Sequence, residues 1–216
     1  GGNDRDFRGG APPRKTDYQK VLLAVGRRPN TEDLGLEEAG VEVDDDGFVM
    51  VDAQRRSSVE SILAVGDVAG KPLLAHKAMR EGKVAAEVLA GEPAAFDARA
   101  VPAVIYTDPQ IAVCGITETE AAREDMDIDV ARFPWRASGR AVSMGGEEGF
   151  TKLLLDPGSG RVLGMGVVGP HAEVLIAEGA LAVEMGALAR DLALTIHPHP
   201  TLSETVQEAA EEALGR

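Results

Sequence analysis

The chain has 216 residues, of which 44% are hydrophobic and 4% aromatic, and its formal net charge at pH 7 is −14. This length and apolar content suffice for one large or two small globular domains. The acidic charge argues against nucleic acids and acidic lipids as partners, because phosphate contacts need clustered Lys and Arg. The single cysteine, Cys114, excludes an internal disulfide and any dithiol chemistry within this chain.

No apolar run approaches the roughly 20 residues that a membrane-spanning helix requires. The N-terminal stretch GGNDRDFRGG is charged and lacks the apolar centre of a signal peptide. We therefore expect an intracellular, cytoplasmic protein that does not bind a membrane.

The first half has the pattern of an α/β cofactor domain. The apolar runs VLLAVG, residues 21–26, and ILAVGD, residues 62–67, predict two buried strands. VEVDDDGFVMVD alternates apolar and polar residues around Asp46-Gly47 and predicts a hairpin. A helix is predicted over LLAHKAMREGKVAAEVLAG, with Gly91 as its C-cap. A strand that ends on a Gly-Asp pair before a helix is a usual ligand position in an open α/β sheet.

The second half predicts an α+β domain. Residues 91–102, GEPAAFDARAVP, have the composition of a linker. Beyond them, five strands are predicted over AVIYTD, QIAVCGIT, IDVARFPW, FTKLLLD and RVLGMGVVG. Long helices are predicted over HAEVLIAEGALAVEMG and TLSETVQEAAEEAL, and Thr117 with Glu120 forms a capping box that opens a shorter helix. Strands with segregated helices are typical of the α+β class.

Two features of these halves could bind a ligand or merely build the fold. Gly164, Gly166 and Gly169 satisfy the G-x-G-x-x-G spacing, but they lie inside a predicted strand and not in the turn after it. Close backbone packing is therefore the preferred interpretation. Asp67 either accepts hydrogen bonds from sugar-like hydroxyls or caps the following turn, and the pattern leaves both open.

The stretch HPHPTLSE, residues 197–204, contains two histidines that fold-building alone does not require. A metal pair at His197 and His199 lacks a third ligand nearby, so we predict no metal site. Thr201 and Glu204 have the spacing of a capping box. Alternatively, the carboxylate holds one imidazole nitrogen, and the other nitrogen takes a proton at neutral pH. The pattern leaves cap and catalyst open.

Four stretches, in this order, carry a resemblance to a known family: VLLAVGRRPNTEDLGLEEAGV, ILAVGDVAGKPLLAHKAMREGKVAAEVLAG, VPAVIYTDPQIAVCGITETEA and HPHPTLSE. Together they resemble the C-terminal half of the dihydrolipoamide dehydrogenases, flavin-dependent pyridine-nucleotide disulfide oxidoreductases. LLAHKA after the Gly-Asp strand is similar to the lipoamide enzymes rather than to relatives that reduce glutathione. The resemblance implies a remnant of the NAD-binding domain at 1–27, the C-terminal segment of a doubly wound FAD-binding domain at 28–100, and an interface domain at 101–216.

The resemblance also implies two cofactor sites. Asp67 would bind the ribitol or nearby hydroxyls of FAD, and Gly26 would lie at the edge of the NAD site. The residues along the isoalloxazine ring would be Leu73, Leu74, Ala75 and His76. A helix N-terminus at this position favours the negative charge of a reduced flavin.

The catalytic groups implied by the resemblance are His199 as the base and Glu204 as the carboxylate that orients it. In that family the pair reaches across a homodimer interface to the partner's flavin and disulfide, and the reaction oxidises dihydrolipoamide with NAD⁺. A cis peptide bond is expected at His199–Pro200. The partner would be the lipoyl-bearing subunit of a 2-oxo acid dehydrogenase complex. No role carries over to His197.

The family's redox cysteine pair and its glycine motifs for FAD and NAD do not occur in this chain, so we expect the chain alone to be inactive. Cys114 is expected to be a small buried hydrophobe. One alternative is another disulfide reductase, such as mercuric reductase, although its expected C-terminal cysteine pair is missing. The other is a non-catalytic dimerisation module whose acidic surface docks a basic segment.

Overall fold

A five-stranded antiparallel sheet organises the second half of the chain in the computed structural model, which describes residues 17–215. In chain order its strands are β1 (Ala103–Ile105), β2 (Ile111–Gly115), β3 (Asp129–Pro134), β4 (Phe150–Leu155) and β5 (Val162–Val168). Their order across the sheet is β1-β2-β5-β4-β3. All five strands predicted in this half are confirmed, and so is its antiparallel α+β architecture.

Six α-helices and two short 3₁₀ helices accompany the sheet in the described part of the chain. The α-helices are α1 (Ala75–Leu89), α2 (Glu118–Arg123), α3 (Gly139–Ser143), α4 (Ala172–Met185), α5 (Ala189–Leu194) and α6 (Glu204–Ala213), and the 3₁₀ helices span Gly66–Ala69 and Trp135–Ala137. The three long predicted helices correspond to α1, α4 and α6. The predicted capping box is confirmed at α2, where Thr117 and Glu120 exchange hydrogen bonds.

The C-cap residue of α1 is Ala90, so Gly91, the predicted C-cap, lies one position beyond it. Its φ of 85° is in the left-handed region. The Gly91 amide bonds to the carbonyl of Val88, and the next amide bonds to the carbonyl of Glu87. This pair of bonds is the Schellman motif, in which glycine is favoured because it has no Cβ.

The core lies between one face of the sheet and the helices that cover it. α4 packs over β2 and β5, α6 packs over β3 and β4, and α5 packs against α6. Alternate residues of neighbouring strands point to this face, since register pairs Cys114 with Met165 and Met165 with Leu153. All three are at most 2% exposed. Alternation along each strand thus builds the apolar layer on which the last helix rests.

A chain of buried hydrogen bonds ties α6 to the sheet. The indole Nε1–H of Trp135 donates to Thr151 Oγ1 at 2.9 Å, and Thr151 Oγ1 lies 2.7 Å from Thr205 Oγ1. The hydroxyl of Thr205 donates to the carbonyl of Leu202, so the proton shared by the two threonines belongs to Thr151. Each donor in this series of three hydrogen bonds has an acceptor, and the series fixes the first turn of α6 against β4.

Two strands predicted in the first half are wrong. Residues 21–26 are extended but unpaired, and Leu22 and Val25 are 91% and 94% exposed. ILAVGD forms only one bridge, between Arg56 and Leu63, before the chain enters the 3₁₀ helix at Gly66–Ala69. An apolar run becomes a strand only beside another strand, and nothing in residues 17–215 pairs with 21–26. The hairpin around Asp46-Gly47 is confirmed by the bridge from Val43 to Val49.

The glycines of GMGVVG are packing residues at two of their three positions. A Cβ on Gly164 would lie 2.2 Å from the carbonyl oxygen of Ile116, and a Cβ on Gly169 would lie 2.2 Å from the ring of Trp135. At Gly166 the nearest atom would be 3.7 Å away, so close packing does not explain that glycine. Gly164 and Gly166 lie inside β5, and only Gly169 lies in the turn between β5 and α4, whereas the dinucleotide motif needs its glycines in that turn.

Cys114 is a buried packing residue, as predicted. Its side chain faces α4 at Gly179, where a Cβ would lie 3.1 Å from the sulfur. Burial raises the pKa of the Cys114 thiol to about 12, and the backbone of Met165 lowers it by a smaller amount. The thiol is therefore protonated at neutral pH and is not a nucleophile.

Replacing Gly164 by Ala should lower the free energy of unfolding by about 1–3 kcal/mol, because the new methyl group would overlap the carbonyl oxygen of Ile116. Gly166→Ala, on the same strand, is the matched control and should change stability by less than about 0.5 kcal/mol. Urea unfolding followed by the fluorescence of Trp135 measures both. Equal unfolding midpoints for the two variants would contradict the packing role of Gly164.

Candidate functional site

Residues 195–203 connect α5 to α6 and carry both histidines of HPHPTLSE. Pro198 and Pro200 lack an amide hydrogen, so helix α5 does not continue through this segment. The His199–Pro200 peptide bond is cis, as expected. Helix α6 then begins at Glu204, one residue before the threonine that the buried hydrogen-bond chain holds.

The carboxylate of Glu204 binds two donors, one with each oxygen. Oε2 accepts the backbone N–H of Thr201 at 2.7 Å, and Oε1 lies 2.8 Å from Nδ1 of His199. The first bond is half of the predicted capping box. The other half does not form, because the N-cap residue of α6 is Ser203 and the hydroxyl of Thr201 accepts no bond from the amide of Glu204. That hydroxyl donates to the carbonyl of Pro198. The Glu204 side chain therefore makes both the capping bond to Thr201 and the hydrogen bond to the imidazole of His199.

These contacts set the protonation of the pair. The amide of Thr201, and after it the ring of His199, lower the pKa of Glu204, so its carboxylate is anionic at neutral pH. An anionic carboxylate only accepts hydrogen bonds, so Nδ1 of His199 carries a proton. In the neutral ring, Nε2 then holds a lone pair. The His199 side chain is 82% exposed, and within residues 17–215 its Nε2 has no hydrogen-bond partner.

A cleft of about 300 Å³ lies beside His199. Phe133, Arg140 and Glu208 are among its lining residues. Burial and the neighbouring carboxylates Glu211, Glu204 and Glu212 raise the pKa of Glu208. The cleft thus places the ring of Phe133, the cation of Arg140 and the carboxyl group of Glu208, whose pKa is raised, next to His199.

His197 and His199 bind different carboxylates. Nε2 of His197 lies 2.8 Å from Glu178 of α4, and Nδ1 lies 2.8 Å from the carbonyl oxygen of Thr195. The two imidazoles therefore do not converge on a shared ion. No group of three His, Cys, Asp or Glu side chains suited to a metal occurs among the described residues.

Asp67 lies in the 3₁₀ helix at Gly66–Ala69, whose N-cap position is Val65. The cap interpretation of Asp67 is therefore wrong, because the carboxylate follows the cap position by two residues and makes no capping bond. Its side chain is half-buried, and it makes no hydrogen bond to any residue of 17–215. It remains available to a ligand donor.

A buried charge cluster, made of Arg55, Lys77 and Glu81, holds the turn that precedes Asp67. The carboxylate of Glu81 is 1% exposed and accepts from Arg55 at 2.9 Å, from Lys77 at 3.1 Å and from the amide of Gly66 at 2.7 Å. Lys77 also donates to the carbonyl of Gly66. Sequence analysis missed this cluster, although Lys77 and Glu81 have the i, i+4 spacing that pairs charges on a helix.

The start of α1 follows this turn. Leu74 is its N-cap residue, Leu73 and Leu74 are half-buried, and Ala75 and His76 are exposed. Nε2 of His76 lies 2.6 Å from the carbonyl oxygen of Pro102. Arg27 donates to the carbonyl of Leu73, which brings Gly26 and the extended 21–26 segment towards α1. No hydrogen bond or ion pair in the described part of the chain joins this region to His199 and Glu204.

Two family descriptions match the chain. The pyridine nucleotide-disulphide oxidoreductase dimerisation domain matches residues 101–210, and the pyridine nucleotide-disulphide oxidoreductase domain matches residues 9–82. The chain belongs to the pyridine nucleotide-disulphide oxidoreductase family. Proteins of this family use FAD and NAD.

Relatives and solved structures agree with this assignment. The chain is 54% identical over 199 residues to a dihydrolipoyl dehydrogenase of Halobacterium salinarum, and 56% identical over 192 residues to one of Thermus scotoductus. These matches cover 92% and 89% of the chain but only 42% and 41% of the relatives. The crystal structure of LpdA from Mycobacterium tuberculosis is 32% identical with a TM-score of 0.82, covering 89% of this chain and 42% of that one.

A more distant structure has the same fold. The HOCl-induced flavoprotein disulfide reductase RclA from Escherichia coli is 28% identical with a TM-score of 0.78, over 87% of this chain and 44% of that one.

None of the helices in residues 17–215 has the length and apolar content needed to cross a membrane.

Replacing Glu81 by Gln should weaken α1 and the Gly66 turn by about 3 kcal/mol or more, since it leaves two buried cations without their counter-charge. Glu87→Gln on the same helix is the control. Its carboxylate is 47% exposed and 4.0 Å from Arg80, so the change should stay within about 0.5 kcal/mol. Hydrogen exchange of the α1 amides measures both, and equal protection in the two variants would contradict the role of Glu81.

Proposed function

We propose that this chain forms the flavin-contacting segment and the interface domain of a dihydrolipoyl dehydrogenase, which oxidises dihydrolipoamide to lipoamide with NAD⁺ as acceptor. The observation that carries the proposal is the His199–Glu204 pair, in which an anionic carboxylate holds Nδ1 and leaves Nε2 open. In the proposed layout, 1–27 belong to the NAD-binding domain, 28–100 to a doubly wound FAD-binding domain and 101–216 to the interface domain.

His199 would act as the base for a dihydrolipoamide thiol. The free Nε2 accepts the thiol proton, and the thiolate that results is the competent nucleophile towards a disulfide. Glu204 stabilises the imidazolium that forms, because its carboxylate already accepts the Nδ1 proton. The exposed ring lies at the surface of this chain, which suits a thiol that arrives from outside it.

The turn at Asp67 and the start of α1 fit a flavin. The Asp67 carboxylate is free to accept a hydrogen bond from a hydroxyl group. The first amides of α1 have no intrahelical acceptor and favour negative charge. Leu73 and Leu74 add half-buried apolar surface. FAD bound there would supply electron transfer between a disulfide and NAD⁺. The proposed contacts are Asp67, Leu73, Leu74, Ala75 and His76, with Gly26 at the edge of the NAD site.

A homodimer is part of the proposal, because apolar side chains lie exposed on α4, at the end of α5 and in the segment that carries His199. The exposed residues are Val174, Leu181 and Met185 of α4, with Leu194 and Ile196 after it, at 62–95% exposure. The hydrogen bond from His197 to Glu178 joins the 195–199 segment to α4, so these side chains form one apolar surface. Such surfaces mark protein interfaces, and the occupant we propose is a second copy of this chain.

The substrate would reach the site on the lipoyl-bearing subunit of a 2-oxo acid dehydrogenase complex in the cytoplasm. Relatives named dihydrolipoyl dehydrogenase support a dihydrolipoyl group as the substrate, and we propose that this subunit presents it. A dimer without flavin or turnover in the assembled enzyme would instead favour the non-catalytic docking module.

His199→Gln should abolish turnover in a hybrid flavoenzyme, in which this chain is joined to the part of the Thermus scotoductus relative that it does not cover. We expect dihydrolipoamide oxidation to fall by about 10²–10⁴-fold with an unchanged flavin spectrum, because only proton transfer is lost. His171→Gln, at a histidine with a 60% exposed side chain outside the pair, is the control. A His199→Gln hybrid with normal turnover would contradict the proposal.

Leu181→Asp should convert the chain from dimer to monomer, since it buries a charge in the proposed interface. Leu89→Asp is the matched control, because Leu89 is 69% exposed on α1 and lies outside the apolar surface. Light scattering at micromolar concentration gives the mass of each. A monomeric wild-type chain, or a dimeric Leu181→Asp variant, would count against this interface.

A further inference from the structure

His197 is a second histidine with a built environment that the proposed chemistry does not use. Its side chain is only 5% exposed. Nδ1 lies 2.8 Å from the carbonyl oxygen of Thr195, and Nε2 lies 2.8 Å from Oε1 of Glu178. Both ring nitrogens are therefore engaged, in contrast to His199.

The chemistry of these two partners fixes the protons on the ring. A backbone carbonyl only accepts hydrogen bonds, and an ionised carboxylate only accepts as well. A neutral imidazole donates from one nitrogen only, so it cannot satisfy both contacts. Either both nitrogens of His197 carry protons and the ring is cationic, or the proton lies on Glu178.

The charges around His197 favour the cationic ring. Glu178 faces it from α4, while Gln207 and the anionic Glu204 face it from α6. On its own segment the neighbours are the Thr195 carbonyl and His199. Burial lowers the pKa of His197, but the hydrogen bonds to Glu178 and Thr195 outweigh burial and raise that pKa above its ordinary value.

We propose that His197 is an imidazolium at neutral pH and acts as a positioning residue that ties the 195–199 segment to α4, so that His199 is held in place for Glu204. The assignment of His199 as the base rests on the proposed function, but the charge state of His197 does not. HPHP then carries two histidines with different tasks. His197 keeps its proton and holds the segment, and His199 leaves one nitrogen free for proton transfer.

The hydrogen bonds of His197 to Glu178 and Thr195 should weaken in alkaline solution. Because the folded pKa of His197 is raised, its stabilisation is fully present below the unfolded value of about 6.5 and is lost as pH rises through the folded value. Above that pH the ring has one proton for two acceptors. The bond to Glu178 or the bond to Thr195 must then break.

NMR of the ¹⁵N-labelled chain tests the charge state directly. At pH 7 we expect both ring nitrogens of His197 to be protonated. Glu178→Gln should remove one of these protons, because an amide can donate to Nε2 and satisfy a neutral ring. Glu173→Gln is the matched control, since Glu173 lies on the same helix with the same 28% side-chain exposure and bonds to neither histidine of the segment. A His197 ring with one proton in the wild-type chain would overturn the inference.

The positioning role has its own readout in the same spectra. Glu178→Gln should accelerate solvent exchange of the Nδ1 proton of His199 by about tenfold or more, whereas Glu173→Gln should leave it unchanged. Equal exchange in both variants would overturn the positioning role. If both NMR results appear but the hybrid flavoenzyme does not oxidise dihydrolipoamide, the proposed function fails and this inference stands.

Discussion

The carboxylate of Glu204 is the group on which the candidate site depends. One oxygen holds the backbone of Thr201 at the start of α6, and the other holds the ring of His199. The position of that carboxylate is set in turn from the core, because Thr205 next to it is bonded through Thr151 to the indole of Trp135. A solvent-exposed histidine is thereby oriented by the sheet, through hydrogen bonds that are each satisfied.

A second carboxylate, that of Glu81, has a similar arrangement at the turn that precedes Asp67. Glu81 also accepts a hydrogen bond from a backbone amide, that of Gly66, but its side-chain partners are the cations Arg55 and Lys77. Because Glu81 is 1% exposed and Glu204 is 27% exposed, the first is committed to holding a turn and the second leaves its partner open to solvent. Burial therefore decides which carboxylate builds structure and which can serve chemistry.

Sequence patterns predicted the second half of the fold better than the first. All five predicted sheet strands form, because each has a neighbour within the chain and apolar residues to bury. VLLAVG failed as a strand because pairing, which the apolar run itself does not encode, is absent among the described residues. The pattern of HPHPTLSE left two hypotheses for Glu204, a helix cap and an imidazole partner. In the structure the same carboxylate binds both the Thr201 amide and the His199 ring. At Glu81 the spacing could have predicted only the pair with Lys77, since Arg55 is distant in sequence and the burial of the charges follows only from packing.

The central claim is that His199 serves a flavin site completed by a second copy of the chain. Co-expression of two hybrid flavoenzymes tests it: one carries His199→Gln, and the other lacks the redox cysteines of the relative's portion. Each variant alone should be inactive. The co-expressed population should regain about a quarter of wild-type turnover, because about half of randomly assorted dimers are mixed and each mixed dimer has one intact site of two. Mixed dimers that form but stay inactive would contradict the account.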